Sequence, residues 1–120
     1  QLGPERLAAA WPLAEMLSSG VLTTITSDAP IASPDWRLGL DAALDLLGSD
    51  DIATRTALLR RMTTDAARQD GAAEWKGSLE PGKVADLTVL DEDPLEPGRA
   101  FASIGVARTI VEGRTVFARD

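Results

Sequence analysis

The chain has 120 residues, 44% of them hydrophobic, which is enough for roughly one domain with a real core and excludes disorder as the default state. With 19 acidic against 12 basic residues its net charge is -7, which argues against a surface that tracks nucleic-acid phosphates or an anionic membrane and suits a soluble cytoplasmic protein. Cysteine and histidine are both absent, so there is no disulfide or thiolate chemistry, and a metal could be offered only oxygen ligands.

No apolar run approaches the ~20 residues that span a bilayer, and the N-terminus lacks a basic–apolar–small signal pattern. The chain begins at Gln1, not Met, as a processed product or part of something longer would.

The segment from Gln1 to Ala10 reads as a weak helix. Pro12 suits the first turn of a second helix, with Leu13, Met16 and Leu17 as its apolar stripe and Gly20 as its stop. Val21 to Thr26 is short and rich in β-branched residues, which predicts a strand, closed by the polar turn Ser27-Asp28-Ala29-Pro30. Ser33 followed by Pro34 predicts a cap and first helical residue, and Leu40, Ala43, Leu44 and Leu47 share one face of the helix that Gly48 ends. Ser49-Asp50-Asp51 offers the next cap, for a helix to about Arg61 with Ala57, Leu58 and Met62 inward. Thr63 is the expected cap of a short helix from Thr64 to Asp70, closed by Gly71.

Beyond about residue 72 glycine and proline become frequent, and β-branched runs replace helical spacing. Glu80-Pro81-Gly82-Lys83 fits a type II turn. Strands are expected from Ala85 to Leu90, from Val106 to Val111 and from Arg114 to Ala118, the last two joined tightly across Glu112-Gly113. The first part holds one strand, and one strand cannot make a sheet, so this part is expected to belong to a larger α/β layer.

Asp28 is the residue with the clearest chemical potential. It lies just past the end of a helix-flanked strand, the edge where catalytic groups project in an α/β barrel. A carboxylate there can ligate a metal and accept a proton from water. The alternative is an Asx-type turn in which the carboxylate bonds a backbone N–H two residues on.

Family resemblance bears on that choice. Leu17-Ser18-Ser19-Gly20-Val21 leading into Thr26-Ser27-Asp28-Ala29-Pro30 resembles the last barrel strand of the amidohydrolase superfamily, in the branch containing N-substituted formamide deformylase-like enzymes. Thr63-Thr64-Asp65-Ala66-Ala67, ending at Gly71, resembles the helical segment after the barrel. The strongest match is Gly77-Ser78-Leu79-Glu80-Pro81-Gly82-Lys83-Val84-Ala85-Asp86-Leu87-Thr88-Val89-Leu90-Asp91, which resembles the return of the chain into a small β-sandwich. Thr109, Val111, Gly113 and Val116 resemble the last strands. The resemblance runs from about Arg6 to Phe117.

It implies an α/β fold: residues 1–72 as the last strand and helices of a TIM-like (β/α)8 barrel, and residues 73–120 as the C-terminal part of a composite β-sandwich. It implies an enzyme using one or two divalent metals, zinc foremost, to activate water against an amide-type carbon–nitrogen bond of a small-molecule substrate. Asp28 matches the position that binds metal and acts as general base. Thr26 departs from the pattern, which commonly has glycine there. The remaining ligands, mainly histidines, come in the family from earlier strands, so this chain alone is expected to be inactive and to hold no tight metal. Its expected partner is the remainder of the same polypeptide or another copy of the chain, with no nucleic acid and no membrane. The alternative is a non-catalytic truncated paralogue or an interaction module.

Other features read more simply. Asp86 is expected to bond backbone donors, and Asp91, Glu92, Asp93 and Glu96, interrupted by Pro94 and Pro97, to form a solvated loop. Trp11, Trp36 and Trp75 are expected in packing, with Trp36, which follows the Asp28 loop, a weak candidate for substrate contact. Arg60-Arg61 is too short for a nucleic-acid patch.

Overall fold

The structure is a computed structural model that describes residues 3–10 and 12–120; Trp11 lies outside the described residues. Five helices precede three strands: α1 (Pro4–Ala9), α2 (Leu13–Ser18), α3 (Trp36–Leu47), α4 (Ile52–Met62), α5 (Thr64–Gln69), β1 (Leu87–Leu90), β2 (Val106–Val111) and β3 (Arg114–Ala118). A 3-10 turn at Phe101–Ser103 lies between β1 and β2.

Helix α3 begins at Asp35, whose carboxylate accepts the Arg37 backbone N–H at 3.1 Å and also binds the Arg37 side chain. The cap therefore falls two residues later than the Ser33 expectation. Ser33 instead uses its hydroxyl to accept the N–H of Asp35 at 3.2 Å. The helix ends at Gly48, in the left-handed region at φ 61, whose N–H reaches Leu44 O at 2.9 Å. Its inward face is Leu40, Ala43 and Leu44, all buried, with Leu47 packed alongside.

Asp51 caps α4 by accepting the Thr54 N–H at 2.7 Å. Leu58 is buried on this helix, and so is Arg55. Thr63 precedes α5 without capping it, because its hydroxyl donates back to Leu59 O at 2.9 Å.

The three strands form one antiparallel sheet in the order β1-β2-β3. Leu87 faces Ile110 and Thr109 faces Phe117 across the ladders. Glu112 and Gly113 turn the β2–β3 hairpin with φ of 50 and 75, the backbone signs of a type I′ turn. Asp86 accepts the Glu112 N–H at 2.7 Å, and Ala85 O accepts that of Gly113 at 3.0 Å. Residues 85 and 86 thus serve the far hairpin turn, and β1 starts at Leu87 rather than Ala85. In the turn before it, Lys83 N–H reaches Glu80 O at 3.1 Å with Gly82 at φ 92, as a type II turn requires.

The strand expected from Val21 to Thr26 does not form. Residues 20–27 carry no ladder, since the strands of this chain pair with one another elsewhere and offer no neighbour here. The segment still sends Thr23 and Ile25 inward, the latter onto the core, while Val21 is 66% exposed. Thr24 is tied to α5 by a hydroxyl bond to Gln69 at 2.8 Å.

The core joins both ends of the sequence. Leu40, Ala43 and Leu44 of α3 and Leu58 of α4 enclose Phe101 and Ile104, with Leu90 of β1 packed against them. Asp41 of α3 accepts the Phe101 and Ala102 backbone N–H groups at 2.6 and 2.9 Å, and Arg37 donates to Ile104 O at 2.8 Å. Among the described residues no helix is long and apolar enough to cross a membrane.

Candidate functional site

Asp28 opens a tight turn in which the Ile31 N–H reaches its carbonyl at 2.8 Å. Its φ is 51, left-handed and unfavourable for most side-chain-bearing residues by roughly 1–2 kcal/mol, though aspartate tolerates it better than most. The turn is braced from upstream. Thr26 Oγ1 accepts the Asp28 N–H and Ser27 Oγ accepts the Ala29 N–H, each at 3.3 Å.

The Asp28 side chain is exposed, and its carboxylate makes no hydrogen bond or ion pair among the described residues. The Asx-turn alternative fails for a simple reason: the residue two positions on is Pro30, which has no N–H to give. The carboxylate keeps all its acceptor positions open, as a group that ligates a cation or takes a proton must.

Trp36, the first residue of α3, is partly buried, with its ring edge-on to Phe101 at a centroid distance of 6.5 Å. Trp75 is half exposed, with Lys76 Nζ 5.2 Å from its ring centroid.

Among the described residues no three Asp or Glu side chains gather closely enough to hold a metal ion, so Asp28 could contribute one oxygen ligand but not a site. The acidic loop is neutralised from within. Arg99 bonds Glu92 at 2.6 Å and Glu96 at 2.8 Å, Arg119 pairs with Asp91, and Asp93 accepts the Leu95 N–H at 2.8 Å. The bond to Glu96 is the main reason the Arg99 guanidinium is held above its ordinary pKa.

A groove of about 550 Å³ lies elsewhere, between α3, α4 and residues 98–100. It is open, and two of its carboxylates are engaged within the fold. Asp41 holds the two amides of the 3-10 turn, and Asp50 binds Arg55 and the Gly98 N–H. The Arg55 bond chiefly, then Gly98, keeps the Asp50 carboxyl below the usual range. This groove is a seam of the fold, and Asp28 is the site candidate.

Sequence reasoning missed Arg55 and Asp41, which fasten residues 94–105 to the helices. A signal existed for Arg55, three residues before Leu58 on the face α4 turns inward.

Comparison with known proteins matches this arrangement to one family. The Amidohydrolase family profile matches residues 1–117. An N-substituted formamide deformylase from Arthrobacter pascens is 32% identical over 111 residues, covering 86% of this chain and 20% of that protein. A 5-methylthioadenosine/S-adenosylhomocysteine deaminase from Symbiobacterium thermophilum is 35% identical over 123 residues, covering 88% and 28%. The crystal structure of an amidohydrolase from Thermotoga maritima MSB8 superposes with a TM-score of 0.73 at 29% identity, over 90% of this chain and 26% of that one. The chain therefore spans between about a fifth and three-tenths of the length of these relatives. With nearly its whole length matched, from the helices through the turn of Asp28 to the last hairpin, the chain belongs to the Amidohydrolase family.

Proposed function

We propose that this chain is the C-terminal portion of a metal-dependent amidohydrolase that hydrolyses a carbon–nitrogen bond, other than a peptide bond, in a small molecule. In this reading residues 1–72 are the end of a (β/α)8 barrel and residues 73–120 part of a composite β-sandwich. The observation that carries it is the free carboxylate of Asp28 within a chain matched to the family over residues 1–117. The names of the deformylase and deaminase relatives support carbon–nitrogen chemistry.

A divalent metal, zinc foremost, would lower the pKa of a bound water when present. Asp28 would supply one oxygen ligand and take the proton the water gives up as its oxygen bonds to the substrate carbon. A left-handed, braced backbone suits that double role, because it fixes where the carboxylate starts without using its oxygens. The histidine ligands would come from the remainder of the polypeptide, since neither this chain nor a second copy of it has any. Trp36 would stand near the pocket mouth, with most of its ring committed to Phe101. The second reading is a non-catalytic module derived from the fold.

The test is D28N in the complete polypeptide. Turnover should fall by about 10²–10⁴-fold, the usual worth of a general base. Zinc content, read by elemental analysis, should fall too. Wild-type turnover and zinc content in D28N would overturn the role of Asp28, and a complete polypeptide with no turnover of carbon–nitrogen substrates would leave the module.

A further inference from the structure

We propose that the hydroxyls of Thr26 and Ser27 are positioning groups that keep the Asp28 carboxylate free to bind a divalent metal. This rests on the reading of Asp28 as ligand and base. The starting observation is an aspartate in the left-handed region, at φ 51. Aspartate enters that region because its short side chain can bond nearby backbone, and in turns it commonly spends its carboxylate that way. A carboxylate so engaged has fewer lone pairs for a cation and a fixed direction set by the turn.

Here the backbone donors of residues 28 to 31 are otherwise occupied. The Asp28 N–H goes to Thr26 Oγ1 and the Ala29 N–H to Ser27 Oγ, each at 3.3 Å. Pro30 has no N–H, and the Ile31 N–H goes to the Asp28 carbonyl at 2.8 Å. The four residues from 28 to 31 thus have three backbone donors, and each has a partner that is not the carboxylate. The two hydroxyls do the local bonding that the aspartate would otherwise do. Thr26 acts on the near side of Asp28 and Ser27 on the far side, so the backbone is gripped at both peptide units around the carboxylate-bearing carbon.

Without the Thr26 hydroxyl, the Asp28 N–H has two ways to be satisfied: water, which loosens the turn, or its own carboxylate, which engages an oxygen the metal needs. Either lowers the fraction of molecules with the carboxylate placed for binding, and metal affinity falls by that fraction. The effect is expected to belong to the hydroxyl and not to side-chain bulk, because Thr26 is exposed.

The experiment uses the complete, metal-loaded enzyme and its T26V, T26S and D28N variants. Zinc affinity is read by equilibration against a chelator-buffered zinc series, and folding by the thermal transition. T26V keeps the shape and removes the hydroxyl. It is expected to bind zinc about 2- to 10-fold more weakly, the span of one ordinary hydrogen bond, with an unchanged thermal transition. T26S restores the affinity, and D28N loses more than T26V. Wild-type affinity in T26V alongside a loss in D28N would overturn the positioning role and leave Asp28 in its own. Wild-type affinity in D28N would overturn the reading of Asp28 and this inference with it. A T26S affinity as weak as that of T26V would show that a hydroxyl at residue 26 does not supply the effect and overturn its role.

Discussion

The guanidinium of Arg55 lies 4.6 Å from the centroid of the Phe101 ring, with both side chains fully buried. Arg55 is also bonded to Asp50 and to the backbone carbonyls of Pro94, at 3.0 Å, and Arg99. One side chain of α4 thereby holds the crossing segment in three ways: by a ring face, by two carbonyls and by a carboxylate that itself binds the Gly98 N–H. Removing it leaves the carbonyls without a donor and a void beside Phe101. R55A is expected to destabilise the fold by about 2–5 kcal/mol, the range for truncating a large buried side chain, read from urea unfolding. R55K should recover little, because an ammonium cannot reproduce the fork that spans Asp50 and the carbonyls. A loss under about 1 kcal/mol in R55A would mean the clasp is not what binds the segment.

Asp41 makes the second attachment. Its two oxygens accept the N–H groups of Phe101 and Ala102, which open the 3-10 turn and have no donor-side partner within it. The arrangement is a helix cap delivered from another helix. D41A is expected to cost about 1–2 kcal/mol, and D41N less, since the amide retains one acceptor oxygen. Hydrogen exchange at the Phe101 and Ala102 amides is the direct readout: it should quicken in D41A while the β2–β3 hairpin amides keep wild-type rates.

What could be read from the sequence was what neighbouring residues decide among themselves. The bounds of β2 and β3 follow from the Glu112-Gly113 turn, and the inward face of α3 follows from the spacing of Leu40, Ala43 and Leu44. The cap of α3 was expected at Ser33, and Asp35 takes it because its carboxylate accepts the Arg37 backbone N–H and also binds the Arg37 side chain. The inward position of Arg55 could be read from its spacing to Leu58, but its partners could not, because Pro94 and Arg99 lie far along the chain in a loop with no periodicity. The missing strand at residues 21–26 shows the same limit, since β-branched composition describes a strand's fitness for a ladder and cannot supply the ladder. At the candidate site, the turn at Asp28 was legible, but the freedom of its carboxylate depends on where two hydroxyls point.

The acid stability of the chain follows from four carboxylates whose folded pKa values are depressed. Asp35 is lowered chiefly by its bond to the Arg37 side chain, Asp50 by Arg55, Asp51 by the Thr54 backbone N–H, and Glu80 by the Ser78 hydroxyl. A carboxyl more acidic when folded contributes stability above its unfolded pKa, about 4, and loses it as pH falls through the folded value. The unfolding midpoint should therefore decline steadily below about pH 4. With no histidine, no side chain has an ordinary pKa near 6.5, and the midpoint should stay level from about pH 6 to 8. D50N should flatten part of the acid limb. A midpoint that changes substantially between pH 6 and 8 would point to a titrating group this account does not contain.

Gly77 and Gly82 share a φ of 92 yet should respond very differently to alanine. Around Gly82 nothing lies within 4 Å of an added Cβ, so G82A meets only the backbone penalty, about 1–2 kcal/mol. An added Cβ at Gly77 would collide with Ala67 Cβ and sit 3.2 Å from Thr63 O. Ala67 is buried on α5, and Thr63 O is already the acceptor for the Ala67 N–H at 3.0 Å, so neither can retreat without unwinding the first turn of α5. G77A therefore adds an overpacking cost to the backbone penalty and should destabilise by about 2–5 kcal/mol. The two contributions separate in a double-mutant cycle. A67G alone costs about 1 kcal/mol of helix propensity, but paired with G77A it removes the colliding methyl, so the combined loss should be smaller than the two single losses added together. Strict additivity would show that the loop moves aside, and that residue 77 needs glycine for its backbone alone.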